Sequence, residues 1–186
     1  LNIVQQPLSA MAGENLNIGT NAPPQVRVVD RYGNPVLVGP YSITATVDPT
    51  ATIFGPTVQT NNSVDGTATF TNMSIRKAGD YEMAFTPAGA GLEVTNSQGF
   101  TISANTNSAR VSILTQPSNS KAGSPVTPNP VLLVQDQFNN VVTNQSLEAS
   151  LLQDSNSASY ATNSTTNLVT GTNGQATFSN LLINQA

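Results

Sequence analysis

The chain contains no cysteine, no histidine and no tryptophan, and only 9% of its 186 residues are charged. Each shortage closes a class of function. Without cysteine there are no disulfides, thiolate metal sites or thiol nucleophiles, so stability must come from packing and strand pairing. Without histidine there is no Ser-His-Asp triad, no imidazole metal cluster and no imidazole acid–base catalysis. Six lysines and arginines against ten acids leave a net charge of −4. So few cations cannot form the basic stripe that nucleic acid demands, and they disfavour an acidic membrane surface. No apolar run approaches the roughly 18 residues that read as a membrane-spanning helix. Neither an initiator methionine nor a signal peptide is visible, which gives the expectation of an internal or processed piece of an exported protein.

What is present is neutral and polar. Asparagine occurs 22 times, with abundant serine, threonine and glutamine, while 38% of the residues are hydrophobic. That apolar share can bury a core, so the chain is not a disordered polyelectrolyte. Solubility carried by amides and hydroxyls in place of charge suggests an extracellular, surface-exposed β-protein.

An internal repeat organises the whole sequence. LNIVQQP (Leu1 to Pro7) matches VSILTQP (Val111 to Pro117), and Ala-Gly follows each, at Ala12-Gly13 and Ala122-Gly123. VRVVDRYGNPV (Val26 to Val36) matches LLVQDQFNNVV (Leu132 to Val142), and GTATFTNMSIRKA from Gly66 matches GQATFSNLLINQA from Gly174. The offsets differ slightly from segment to segment, so insertions fall between segments, as loops allow.

Each copy alternates apolar and polar residues with period two, in short runs bounded by Gly, Pro, Asn and Asp. The pattern predicts inward positions at Val26 and Val28, at Ile43, Ala45 and Val47, and at Ala68, Phe70, Met73 and Ile75. It also predicts Tyr81, Met83 and Phe85, then Phe100 and Ile102. The phase change at Thr71-Asn72 suggests a bulge or kink. Six or seven strands in about 100 residues suggest a two-sheet antiparallel sandwich. The fold expected is therefore all-β, two tandem immunoglobulin-like sandwiches: repeat one over 1–104, a polar tether over 105–110, and an incomplete repeat two over 111–186. Tyr81 just after Ala78-Gly79-Asp80 reads as either a tyrosine corner, its hydroxyl bonded back to nearby backbone, or simply a core aromatic.

These segments resemble the bacterial immunoglobulin-like (Big-type) repeats that stand in tandem in large cell-surface proteins. The resemblance rests on the QP…AG opening, the V.D..GNPV turn, the G.ATF.N..I strand and the AG.Y…F strand with its late GFTI. Repeat two departs from it at Asn139-Asn140-Val141, where repeat one has Gly33-Asn34-Pro35, and this leaves the turn type open there. The resemblance implies a stalk, fibre or surface-layer role for a microbial surface protein, with binding housed elsewhere. Its partners would be neighbouring repeats of the same longer chain or other subunits of a surface assembly. The alternative is an adhesive or carbohydrate-binding accessory module of a secreted protein, which an exposed cluster around Tyr32 and Tyr41 would favour.

Ala186 aligns with Ala78, so nothing in repeat two matches Gly79 through Ser103. Burial of five large side chains from that stretch is worth on the order of 10 kcal/mol, comparable to a domain's whole net stability. Completion by further residues of a longer chain is the first expectation, with strand donation from another molecule as the second.

Candidate chemistry is sparse. The ten acids (Glu14, Asp30, Asp48, Asp65, Asp80, Glu82, Glu93, Asp136, Glu148 and Asp154) mostly sit beside turn residues, where they hydrogen-bond the backbone. Glycosidase-type carboxylate pairs are not expected, and the chain is read as non-enzymatic with no cofactor. There is no DxDxDG loop for calcium. The only lysines, Lys77 and Lys121, lie in predicted loops, whereas an isopeptide crosslink needs a buried lysine on a core strand. Four Asn-x-Ser/Thr sequons, at Asn61, Asn72, Asn144 and Asn163, are candidate glycosylation positions. Tyr32, Tyr41 and Tyr160 are the tyrosines that could stack on a sugar.

Overall fold

The structure is a computed structural model, and it describes residues 1–17, 22–89, 91–152 and 158–184. Among these residues it is nearly all β, in several sheets, with no α-helix and one 3-10 turn at Thr106–Ser108. No helix among them is long and apolar enough to cross a membrane. The chain divides into two compact units, Leu1–Ala104 and Asn105–Ala186.

Unit 1 holds β1 (Asn2–Gln5), β2 (Ala10–Met11), β3 (Gln25–Arg27), β4 (Ser42–Asp48), β5 (Ile53–Phe54), β6 (Val58–Thr60) and β7 (Thr67–Thr69). It continues with β8 (Ser74–Ile75), β9 (Gly79–Pro87), β10 (Thr95–Asn96) and β11 (Phe100–Ser103). One sheet runs β1-β3-β7 and a second β2-β11-β9-β4-β6, with β10 also on β9 and a separate β5-β8 pair. The alternation places alternate side chains on one face of each strand. Val26, Ile43, Ala68, Phe70, Ile75, Met83 and Phe85 are all at 0% exposure, and every other inward position predicted in unit 1 is also buried. The Phe70 and Phe85 rings lie 5.2 Å apart, bringing the ends of two sheets into one core.

Three details differ from the simplest reading. Strands are more numerous and shorter than six or seven, because turns interrupt several runs. The pairing of β11 with β2 is parallel, Ile102 opposite Ala10, whereas the other strand pairs among the described residues are antiparallel. The phase change after Phe70 is a turn in which Asn72 adopts φ +58°, a left-handed backbone that asparagine tolerates. It is tight: a side chain on Gly55 would meet the Asn72 carbonyl at 2.2 Å. The Tyr81 hydroxyl donates to the Lys77 carbonyl at 3.0 Å, four residues back, which is the bond a tyrosine corner makes.

Unit 2 holds β12 (Arg110–Thr115), β13 (Val131–Gln135), β14 (Ser146–Glu148), β15 (Asn167–Val169) and β16 (Gln175–Thr177). Its pairings repeat those of unit 1 register for register. Ile113 opposite Leu132 matches Ile3 opposite Val26, and a register shift follows at the same place in both. Leu132 opposite Ala176 matches Val26 opposite Ala68. Leu147 opposite Leu168 matches Ile43 opposite Gln59. Loop bonds repeat as well: the Gly123 amide donates to Ile183 as the Gly13 amide does to Ile75. The core centres on Val126, Phe178 and Leu181, with Leu132, Leu147, Ala149, Tyr160, Leu168 and Ile183 packed around it only partly buried.

Candidate functional site

The polar residues that looked most promising in sequence are occupied in holding backbone. Just past β3 the chain folds back on itself, and Asp30 organises the turn. Its Oδ1 accepts the amides of Tyr32 (2.8 Å) and Asn34 (2.9 Å), while Oδ2 accepts Asn34 Nδ2 (3.0 Å). These bonds, led by those from Asn34, hold the Asp30 carboxyl below its ordinary value. Gly33 takes φ +88° at the tightest point.

Unit 2 builds the same turn around Asp136, whose Oδ1 accepts the amides of Phe138 (2.8 Å) and Asn140 (2.9 Å) and whose Oδ2 accepts Asn140 Nδ2 (2.8 Å). Asn139 stands where Gly33 does and adopts φ +65°, so the turn survives the loss of glycine. One bond is added: Oδ2 also accepts the Asn105 amide at 2.9 Å, and Asp136 is at 0% exposure where Asp30 is exposed. Burial pushes the Asp136 carboxyl up, but the hydrogen bonds from Asn140, Asn105 and Phe138 outweigh it and hold the group below its ordinary value. Residues 105–110 are therefore not a bare tether. Asn105 is buried, its Oδ1 caps the 3-10 turn through the Asn107 amide, and Arg110 already belongs to β12.

A second clamp joins the loop after the Asp turn to the strand across from it. Asn61 Oδ1 accepts the Tyr41 amide at 2.7 Å, and its Nδ2 donates to the Val36 carbonyl at 3.1 Å. In unit 2 the hydroxyl of Thr170 does both jobs, accepting the Gln145 amide at 3.0 Å and donating to the Val142 carbonyl at 3.1 Å. The first sequon is thus a buried clamp, 7% exposed, and the Nδ2 that a glycan would join is already turned to the Val36 carbonyl. Asn72, Asn144 and Asn163 are exposed, the first two with left-handed backbones. The four are not gathered into one patch by any hydrogen bond among the described residues.

The remaining candidates each have their own local surroundings. Tyr32 is 72% exposed, with the Arg31 guanidinium 4.5 Å over its ring and bonded to its hydroxyl. Tyr41 is half-buried, its ring close enough to Gly39 that a side chain there would approach to 2.9 Å. Tyr160 packs in the unit 2 core, where burial pushes its hydroxyl up. Asp65 is held below its ordinary value, mainly by Thr67, and lies 3.6 Å from the Arg27 guanidinium. Both lysines are exposed. Among the described residues no three acids gather closely enough to hold a metal ion.

Two of these devices were not foreseen. The Asn61 and Thr170 clamps have no shared residue type to mark them. The Asn105 anchor could have been suspected only from the repeated Asp-x-x-x-Asn spacing, which signals a carboxylate with amide partners. Compared with known proteins, the chain matches no protein-family model and no curated protein.

Proposed function

We propose that the chain is a non-catalytic structural repeat region, a stalk, fibre or surface layer, of an extracellular microbial surface protein. In this reading its units are tandem immunoglobulin-like sandwiches of the bacterial repeat type, and its partners are neighbouring repeats or other subunits of a surface assembly. The observation that carries it is the duplication itself. Two units repeat the same registers, and the side chains best suited to a site are spent on backbone in both: Asp30 and Asp136, Asn61 and Thr170. A scaffold needs that economy, while a catalyst leaves polar groups aimed at a substrate. The adhesive or carbohydrate-binding alternative called for clustered tyrosines, and Tyr32, Tyr41 and Tyr160 are engaged with separate partners. The sparse positive charge supports partners that are neither nucleic acid nor membrane.

Labelling intact producing cells with antibodies to this chain tests the reading. Strong signal without permeabilisation is expected, together with no retention on a panel of immobilised glycans. Signal that appears only after permeabilisation would sink the surface assignment, and saturable glycan retention lost on Tyr32→Ala would favour the binding module.

A further inference from the structure

In unit 1, β4 is paired on both edges. β6 lies along one, and β9 along the other over six residue pairs, from Ile43 opposite Pro87 to Asp48 opposite Glu82. β14 is its counterpart, and the edge facing β15 repeats the unit 1 geometry: the Ala149 amide donates to Thr166 at 2.8 Å, as the Ala45 amide does to Thr57 at 2.7 Å. Backbone groups of successive strand residues point alternately to the two sides. Glu148 and Ser150, flanking Ala149, therefore direct their amides and carbonyls away from β15. In unit 1 that direction is filled, with Thr44 opposite Thr86 and Thr46 opposite Ala84. Among the described residues of unit 2, no strand pairs there.

The side chains tell the same story. Ile43 and Ala45 are 0% and 2% exposed beneath their sheet, whereas Leu147 and Ala149 are only partly buried. Phe70 has the Phe85 ring of β9 against it, while Phe178, in the same place, has no ring partner among the described residues. Pro7 is buried and Pro117 exposed; Ile3 is half-buried and Ile113 is 51% exposed. An open edge beside a half-covered apolar face is the arrangement to which an extended strand adds.

We propose that unit 2 is a strand acceptor along β14. Its occupant is an antiparallel strand with large apolar residues at alternate positions, as Tyr81, Met83 and Phe85 are spaced, carried on the same polypeptide and entering beside Ile183. The register follows from unit 1: Leu147 faces the counterpart of Pro87, Ala149 that of Phe85, and Leu151 that of Met83. The point of entry follows too, because β9 begins only four residues after Ile75, and Ile183 is held by Gly123 as Ile75 is by Gly13. A second copy of the chain is a poor donor, since its strand of this pattern, β9, is already held by β4 and β11. The inference concerns what unit 2 takes up and stands whether the repeats serve as scaffold or as adhesin.

The test appends a second copy of residues 79–103 after Ala186, alongside a control in which the added copy carries Tyr81→Ser, Met83→Ser and Phe85→Ser. The intact fusion should raise the unit 2 melting temperature by about 10 °C and slow amide exchange at Glu148 and Ser150 by roughly 100-fold, with the control doing neither. The free peptide Gly79–Ser103, added to the unaltered chain, guards against a fusion that misfolds and should slow exchange at the same two amides. Exchange unaltered in both formats overturns the proposal. So does concentration-dependent dimerisation of the unaltered chain that protects these amides, because the occupant would then be a second copy.

Discussion

Ile43 and Leu147 hold the same place in two sheets of the same register, yet one is sealed and the other is half-buried. Phe70 and Phe178 are both buried, but Phe70 lies against a neighbouring, tilted ring and Phe178 has none among the described residues. The difference teaches that register and burial are separable. Turn chemistry and local pairing suffice to set the register of β12, β13 and β16, since every bond that fixes it lies within unit 2. Depth of burial depends on strands that lie over the core, and β9 and β11 supply it in unit 1.

The largest test of this comparison is a matched truncation. Phe70→Ala should cost unit 1 about 4 kcal/mol, because a well-supported ring leaves a cavity that cannot collapse. Phe178→Ala should cost unit 2 about half of that. Urea unfolding with amide exchange read separately in each unit would measure both, and equal losses would break the comparison.

The Asp turns give the next effect, with the order of the units reversed. Asp136→Ala strands the buried Asn105 amide and should cost about 2 to 3 kcal/mol, whereas Asp30→Ala, at an exposed turn, should cost less. Melting of the two variants would show it. A further prediction sharpens the same contrast through pH. Asp136 has a folded value lowered below 3.8, so its contribution is present above that value and fades as pH falls through the lowered one. Unit 2 should therefore lose stability below about pH 4, and Asp136→Asn should flatten that acid limb in a melting series. Smallest is Tyr81→Phe, which removes one hydroxyl bond to Lys77 and should cost unit 1 about 1 kcal/mol with no change in unit 2.

The period-two pattern marked the inward face of β4, β9 and β11 residue by residue, because alternation on a half-buried strand is a local property. The Asp30 turn was equally plain from Gly-Asn-Pro. The clamps were not, since Asn61 and Thr170 do the same work with different side chains and reach partners 20 to 28 residues away. The parallel contact of β2 with β11 joins residues 92 apart in sequence, and no short-range pattern encodes it. Residues 105–110 looked like a tether by composition, and only the distant Asp136 carboxylate makes Asn105 a buried anchor. The sequons marked Asn61 as modifiable because a tripeptide rule does not see what an amide is already bonded to.

The shared register of β4 and β14 has a consequence for synthesis. A strand shaped for one edge is nearly shaped for the other, so a growing chain risks pairing its first β9 with the wrong repeat. Gly79–Pro87 leaves the ribosome well before Ser146–Glu148, and domains generally fold in the order they emerge. By the time the second edge exists, the strand that could poison it is already locked between β4 and β11. Vectorial folding thereby protects a repeat array from its own similarity, and refolding the full-length chain from denaturant removes that protection.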